Sequence, residues 1–105
     1  MSPVLLKSGT INGITAKAYR SGAIVVVSWN GSLANALASG SWVQDIISDL
    51  PTPLAYNSLW QVNLSIESGN RYDSRVFNGA LNLVARVNLP SGAVLRGTMV
   101  YAAAI

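Results

Sequence analysis

The chain has 105 residues and a net charge of +3, with 50% hydrophobic and only 10% charged residues and no Cys or His. A chain of this length has room for one domain with one modest core, so we expect residues 1–105 to form a single domain. Without His or Cys, the usual zinc sites, the Ser-His-Asp triad and Cys nucleophiles are excluded. The phosphate-loop and dinucleotide motifs are also absent, so we expect no metal site and no cofactor.

The basic residues are scattered along the chain, which argues against a nucleic-acid partner. No apolar stretch reaches the roughly 18–20 residues that span a bilayer, so we expect no membrane insertion. Residues 1–7 lack the basic region and cleavage site of a signal peptide, so we expect no secretion signal there.

The first half of the chain favours strands, because β-rich runs are bounded by Gly, Asn and Ser. Residues 4–7 predict a first strand, and residues 11–19 predict a second extended stretch with a break near Asn12-Gly13. Ser21-Gly22 predicts a tight hairpin turn. Residues 23–29 follow; their apolar side chains on both faces are typical of a central strand buried on both sides.

The middle of the chain is less regular. Residues 33–38 are the one segment with a helical pattern, and they predict a short helical turn. Residues 41–48 predict another extended segment. Pro51 and Pro53 then end regular structure, since each favours an extended conformation in the residue before it.

The second half alternates with the period of a strand. We expect one set of side chains after residue 59 to face the core: Trp60, Val62, Leu64 and Ile66. Gln61, Asn63 and Ser65 are expected to face the other way. Residues 71–77 predict the next strand, and Asn78-Gly79 predicts a hairpin turn, since both residues tolerate positive φ. Residues 80–87 predict the returning strand.

The last predicted strand covers residues 93–103, with Leu95, Met99 and Tyr101 on one face and Arg96 and Thr98 on the other. The total is seven to nine short antiparallel strands at about ten-residue spacing. Such spacing predicts an all-β sandwich or barrel.

Arg71-Tyr72-Asp73 is a candidate ligand-binding site just after a predicted turn. A guanidinium, an aromatic ring and a carboxylate close together could hold sugar hydroxyls or a phosphate. The alternative is that Arg71 and Asp73, two apart on a strand, form a surface ion pair of little energetic value.

Aromatic residues in polar or loop segments are further candidates for ligand stacking. Trp42 follows a Ser/Gly-rich segment and could contact either a ligand or another subunit. Tyr56 and Asn57 follow the two prolines on a predicted loop. Trp29 and Trp60 fit the apolar registers of their strands, so we expect both in the core.

Four acids could in principle supply the carboxylate pair of a glycosidase: Asp45, Asp49, Glu67 and Asp73. Acidic side chains are seldom fully buried, so solvated positions are the simpler interpretation of each. We therefore expect a protein that is not an enzyme, and a carbohydrate-active enzyme using Glu67 or Asp73 ranks last among the hypotheses.

Several short segments occur in an order that resembles a known family. They are Gly-Ala-Ile-Val-Val-Val at 22–27, Ile-Ile-Ser-Asp-Leu-Pro at 46–51, Arg-Val-Phe-Asn-Gly-Ala-Leu at 75–81, and the strand at 92–101. Together they resemble the C-terminal head domain of bacteriophage tail receptor-binding proteins, the siphophage baseplate family. The resemblance covers roughly residues 20–101.

The resemblance implies a β-sandwich or jelly-roll head that assembles as a homotrimer and binds a host cell-wall saccharide. It also implies other tail and baseplate proteins as partners and a place at the tail tip of the virion. The apolar residues 102–105 suggest burial against another subunit. A ligand-free structural or decoration module of a virion remains the alternative. The family's sugar sites often contain His, which this chain lacks, so the candidate contacts rest on their chemistry: Trp42, Tyr56, Asn57, Arg71, Tyr72 and Asp73.

Overall fold

Two four-stranded antiparallel sheets face each other in a computed structural model that describes residues 2–103, and these residues contain no helix. The strand order is β1-β2-β3-β8 in the first sheet and β4-β7-β6-β5 in the second. The strands are β1 (Val4–Ile11), β2 (Ile14–Ser21), β3 (Ile24–Ser32), β4 (Trp42–Val43), β5 (Ser58–Leu64), β6 (Arg71–Phe77), β7 (Ala80–Ala85) and β8 (Val94–Ala102). The predicted all-β sandwich is thereby confirmed.

Each sheet contains one Asn-Gly turn that connects two neighbouring strands. Asn78 and Gly79 have φ values of 50° and 73°, so the predicted hairpin between β6 and β7 is confirmed. Asn12 and Gly13, at 51° and 79°, form the equivalent turn between β1 and β2. Positive φ at both central residues matches the right-handed twist of the flanking strands, which is why this pair of residues sets the register.

The core lies between the sheets and centres on Trp29 and Tyr72. Trp29 comes from β3 and Tyr72 from β6, and they are 2% and 0% exposed. The Trp29 Nε1–H donates to Tyr72 Oη across the sandwich at 2.9 Å. The predicted core position of Trp29 is confirmed, and so is the predicted inward face of β8, where Leu95, Met99 and Tyr101 are buried. The outward face of β3 is only partly covered, since Ile24 is 44% exposed, so the prediction of burial on both faces is wrong.

Gly97 makes room for the Trp29 ring. The two residues are directly opposite each other in the β3–β8 pair. A Cβ at position 97 would lie 2.4 Å from Trp29 Cζ2, far inside van der Waals contact. The indole therefore lies flat over a position that can carry no side chain.

β5 is turned the opposite way from the sequence prediction. Val62 and Leu64 are 61% and 63% exposed, and Trp60 and Ile66 are also exposed. The inward positions hold Gln61 and Asn63, which hydrogen-bond to each other at 2.9 Å.

Polar partners on both sheets explain this orientation of β5. Gln61 also donates to the Thr98 carbonyl of β8 at 3.0 Å, and Asn63 donates to Ser74 Oγ of β6 at 3.0 Å. Polar groups that turn away from water need hydrogen-bond partners, and the side-chain NH₂ groups of Gln61 and Asn63 both find them here. The prediction that one set of side chains faces the core is therefore wrong for Trp60, Val62, Leu64 and Ile66.

Residues 33–38 form no helical turn, which corrects a second prediction. The N–H groups of Leu33 and Leu37 donate to the carbonyls of Ala93 and Leu89 at 2.9 Å each. Because these donors pair with a distant segment, they are not available for helical bonds within the segment. Residues 41–48 likewise contribute only the short strand β4.

The C-terminal end of the described chain is packed on its own fold. Ala103 is 2% exposed, and its N–H donates to the Ala23 carbonyl at 2.8 Å. Ala104 and Ile105, the rest of the predicted apolar tail, lie outside the described residues. Within residues 2–103 there is no helix long and apolar enough to cross a bilayer.

Candidate functional site

Two tryptophans from opposite edges of the second sheet meet on its outward face. Trp42 is on β4 and Trp60 on β5, so three strand spacings, roughly 14 Å, separate their backbones. Their ring centroids are nevertheless 5.9 Å apart, with planes at 62° in an edge-to-face arrangement. Both indoles therefore lean inward across β7 and β6, and Val84, opposite Trp42 in register, is only 1% exposed. Trp60 remains 49% exposed and presents ring surface to solvent.

Arg75 lies among the aromatic rings. Its guanidinium carbon is 4.4 Å from the Trp42 centroid, 4.7 Å from Phe77 and 5.3 Å from Trp60. Its Nε is buried and has no hydrogen-bond partner among residues 2–103, so the π faces are its main compensation. Each cation–π contact contributes about 0.5–2 kcal/mol, depending on desolvation. Arg75 therefore contacts all three rings.

Asp73 joins two arginines beside the rings. Arg86 Nε donates to Asp73 Oδ2 at 2.8 Å, and Arg71 donates from Nε and Nη2 to both carboxylate oxygens at 3.1 and 3.2 Å. Burial alone would raise the pKa of Asp73, but hydrogen bonds from Arg71 and Arg86 outweigh it and hold that pKa below its usual value. The hydrogen bond between Arg71 and Asp73 also raises the pKa of Arg71.

The Asp73 cluster leaves donors free for a ligand. Asp73 itself is only 3% exposed, whereas the side chains of Arg71 and Arg86 are 53% and 41% exposed. Most of their terminal N–H groups have no partner among residues 2–103. The predicted proximity of Arg71 and Asp73 is confirmed, and a carboxylate shared by two arginines is more than a simple surface pair.

We call this surface the aromatic face. It carries a net charge of +2, since three arginines face one carboxylate. Its members are Trp42, Trp60, Phe77, Arg71, Asp73, Arg75 and Arg86.

Tyr72 does not belong to the aromatic face. Its side chain points into the core, where Oη accepts from Trp29 and lies 3.4 Å from the Arg96 carbonyl. Burial raises the pKa of the Tyr72 phenol. Since successive residues of a strand point to opposite faces, Tyr72 cannot share a ligand with Arg71 and Asp73. The prediction of a direct Tyr72 contact is wrong.

Tyr56 and Asn57 lie at the other end of β5. Tyr56 is 70% exposed, and the Asn57 carbonyl accepts the Asn78 N–H at 3.4 Å. The register pairs Ser58 with Phe77 and Val62 with Asp73, so four residues of β5, roughly 13 Å, separate the end of this loop from the position opposite Asp73. It adjoins the Phe77 end of the aromatic face, and the six candidate residues therefore do not form one compact site.

Sequence analysis missed four members of the aromatic face: Trp60, Arg75, Phe77 and Arg86. Arg75 could have been found, because alternation along β6 puts residues 71, 73, 75 and 77 on one face. The same alternation would have excluded Tyr72. Trp60 could not have been found from the sequence, because the polar and apolar faces of β5 alternate equally regularly and do not show which one is buried.

Among residues 2–103, no acid other than Asp73 forms an ion pair with an arginine of the aromatic face. Asp45, Asp49 and Glu67 are exposed residues of loops, and Asp49 accepts from Lys7 Nζ at 3.5 Å. Within residues 2–103 no three His, Cys, Asp or Glu side chains come together as a metal site would require.

Comparison of the chain with protein-family models and with curated proteins finds no match.

Proposed function

We propose that this domain is a saccharide-binding host-recognition head of a bacteriophage tail or baseplate receptor-binding protein, and that the aromatic face holds the sugar. The observation that carries the proposal is the edge-to-face pair of Trp42 and Trp60 beside outward-facing arginines. The resemblance to the phage family supplies the biological setting, and a compact β-sandwich is compatible with it.

The chemistry of the aromatic face suits a hydroxylated ring. The C–H face of a sugar is apolar and can stack on the exposed Trp60 ring, while the free N–H groups of Arg71 and Arg86 can donate to hydroxyls or to an acidic substituent. The role of Asp73 is to orient those two arginines. Since its oxygens are already occupied and it stays ionised, it is poorly suited to act as a general acid, which supports a non-catalytic role.

A homotrimer is part of the proposal. Support comes from the outward row of β5, where Val62 and Leu64 extend the apolar surface beyond the indoles. Contiguous exposed apolar surface usually marks an interaction site. Light scattering should give three times the chain mass, and a monomer at micromolar concentration would remove the trimer from the proposal.

Binding to purified cell-wall polysaccharide from Gram-positive bacteria, measured by calorimetry, tests the sugar site. Trp42→Ala and Trp60→Ala should each weaken binding about tenfold or more, equivalent to roughly 1.4 kcal/mol. Tyr19→Ala is the matched control, because it removes a partly exposed aromatic ring from β2 in the other sheet and should change affinity less than about twofold. Unchanged binding in both Trp variants would overturn the assignment of the site. Absence of saccharide binding by the wild type, with loss of virion assembly on deletion, would favour the ligand-free structural module.

A further inference from the structure

The outward face of the first sheet carries a polar groove that the proposed saccharide site does not use. The groove is open and has a volume of about 460 Å³. We call it the cationic groove, and its outward-facing side chains are Thr15, Lys17, Ser28, Asn30, Arg96 and Thr98.

Strand register puts these side chains in two adjacent rows. Thr15, Asn30 and Arg96 are opposite one another across β2, β3 and β8, and Lys17, Ser28 and Thr98 form the next row. The two cations therefore lie diagonally across the groove, with their Cα atoms about 12 Å apart at ordinary strand spacing. Ser28 and Asn30 form the floor between them.

The charges of the cationic groove are not neutralised within the described chain. All four Asp and Glu residues lie within residues 2–103, and none of them lines the groove or forms an ion pair with Lys17 or Arg96. Asp49 pairs with Lys7 and Asp73 with arginines of the opposite sheet. Two cations without a carboxylate form a local field that attracts anions.

Hydrogen-bond donors surround the two charges. Arg96 uses only Nε, which donates to Asn30 Oδ1 at 3.1 Å. The Lys17 ammonium and the Ser28 and Thr98 hydroxyls have no protein partner among residues 2–103. The groove thus offers charge-assisted donors for an oxyanion and hydroxyls for a polyol.

No aromatic ring in the groove is available to stack a nucleobase. Trp29 adjoins the groove, but its ring lies in the core against Gly97 and Tyr72. Recognition of single-stranded nucleic acid depends strongly on such stacking. We infer that the cationic groove binds a phosphate-type oxyanion carried on a hydroxylated chain, at a site separate from the aromatic face.

The test is an NMR titration of the full chain with poly(glycerol phosphate), and with inorganic phosphate, dextran and poly-dT as comparison ligands. Poly(glycerol phosphate) should shift amide signals of β2, β3 and β8, and any shifts it causes in β6 and β7 should persist in the double variant described below. Phosphate alone should move the same signals more weakly, and dextran should not move them. The double variant Lys17→Met/Arg96→Met should bind at least tenfold more weakly, and the slope of log affinity against log salt should fall by about two.

Lys7→Met is the matched control, because it removes a lysine of the same sheet that already pairs with Asp49. It should change affinity less than about twofold, and Trp60→Ala should also leave this binding intact. Equal losses from Lys7→Met and the double variant would indicate general charge attraction and overturn the inference. Tighter binding of poly-dT at the same signals would overturn the ligand class, and an absence of shifts in β2, β3 and β8 would overturn the site.

Discussion

Removal of the Leu64 side chain should cost little stability, although the sequence places it in an apolar row that looks like core. The side chain is 63% exposed, so only about a third of its surface is removed from water. Full burial of a leucine contributes about 1.5–3 kcal/mol, so Leu64→Ala should lower the free energy of unfolding by about 0.5–1 kcal/mol.

Leu83→Ala provides the matched comparison. Leu83 points inward from β7 and is 1% exposed, so its truncation leaves a cavity in the core. Such substitutions cost about 2–5 kcal/mol. Urea denaturation followed by circular dichroism measures both variants in the same assay.

Measurements at several protein concentrations separate the contribution of Leu64 to the folded chain from its contribution to the proposed trimer. If copies pack through β5, part of the Leu64→Ala effect should grow with concentration, because the contact exists only in the oligomer. At low concentration the cost should stay below that of Leu83→Ala by more than 1 kcal/mol. Equal, concentration-independent costs would show that Leu64 is buried within the single chain and would refute the orientation of β5.

Three further outcomes follow from the core and the ion pairs. Gly97→Ala should lower the free energy of unfolding by more than about 2 kcal/mol and change the near-UV dichroism of Trp29, because the added Cβ would clash with the ring; unchanged stability would contradict the packing. Tyr72→Phe should lower the free energy of unfolding by about 1–3 kcal/mol, because it leaves the buried Trp29 N–H without an acceptor. It should leave saccharide affinity unchanged. A loss of affinity without a loss of stability would show that Tyr72 contacts the saccharide. Asp73 adds stability that is present above the ordinary carboxyl pKa of 3.8 and is lost as pH falls through its lower folded value. The stability difference between wild type and Asp73→Asn should therefore shrink in urea titrations from pH ~6 to ~2, and a difference that grows would contradict the ion pairs.

Much of the fold could be predicted from local patterns. Asn78-Gly79 set a hairpin because its backbone preference is local, and alternation along residues 93–103 correctly identified Leu95, Met99 and Tyr101 as the inward face of the last strand. Residues 33–38 could not be assigned in this way. Their backbone donors pair with Ala93 and Leu89, more than 50 residues away in sequence, and no local pattern reports such a partner.

The candidate site could be predicted only in part, for a related physical reason. Arg71 and Asp73 are neighbours on one face of one strand, so their contact follows from sequence spacing alone. The meeting of Trp42 with Trp60 depends on β4 and β5 forming the two edges of one sheet. The orientation of β5 depends in turn on polar partners for Gln61 and Asn63 in two other strands. Such long-range pairings decide which face of an amphipathic strand is buried.

The central claim is that the aromatic face holds the saccharide, and ¹⁹F NMR of 5-fluorotryptophan-labelled protein tests it most directly. The chain has three tryptophans, so each gives one signal that a Trp→Phe variant can assign. Titration with cell-wall polysaccharide should shift the Trp42 and Trp60 signals and leave the Trp29 signal in place, because Trp29 is 2% exposed in the core. Saturable binding that moves neither the Trp42 nor the Trp60 signal would contradict the account.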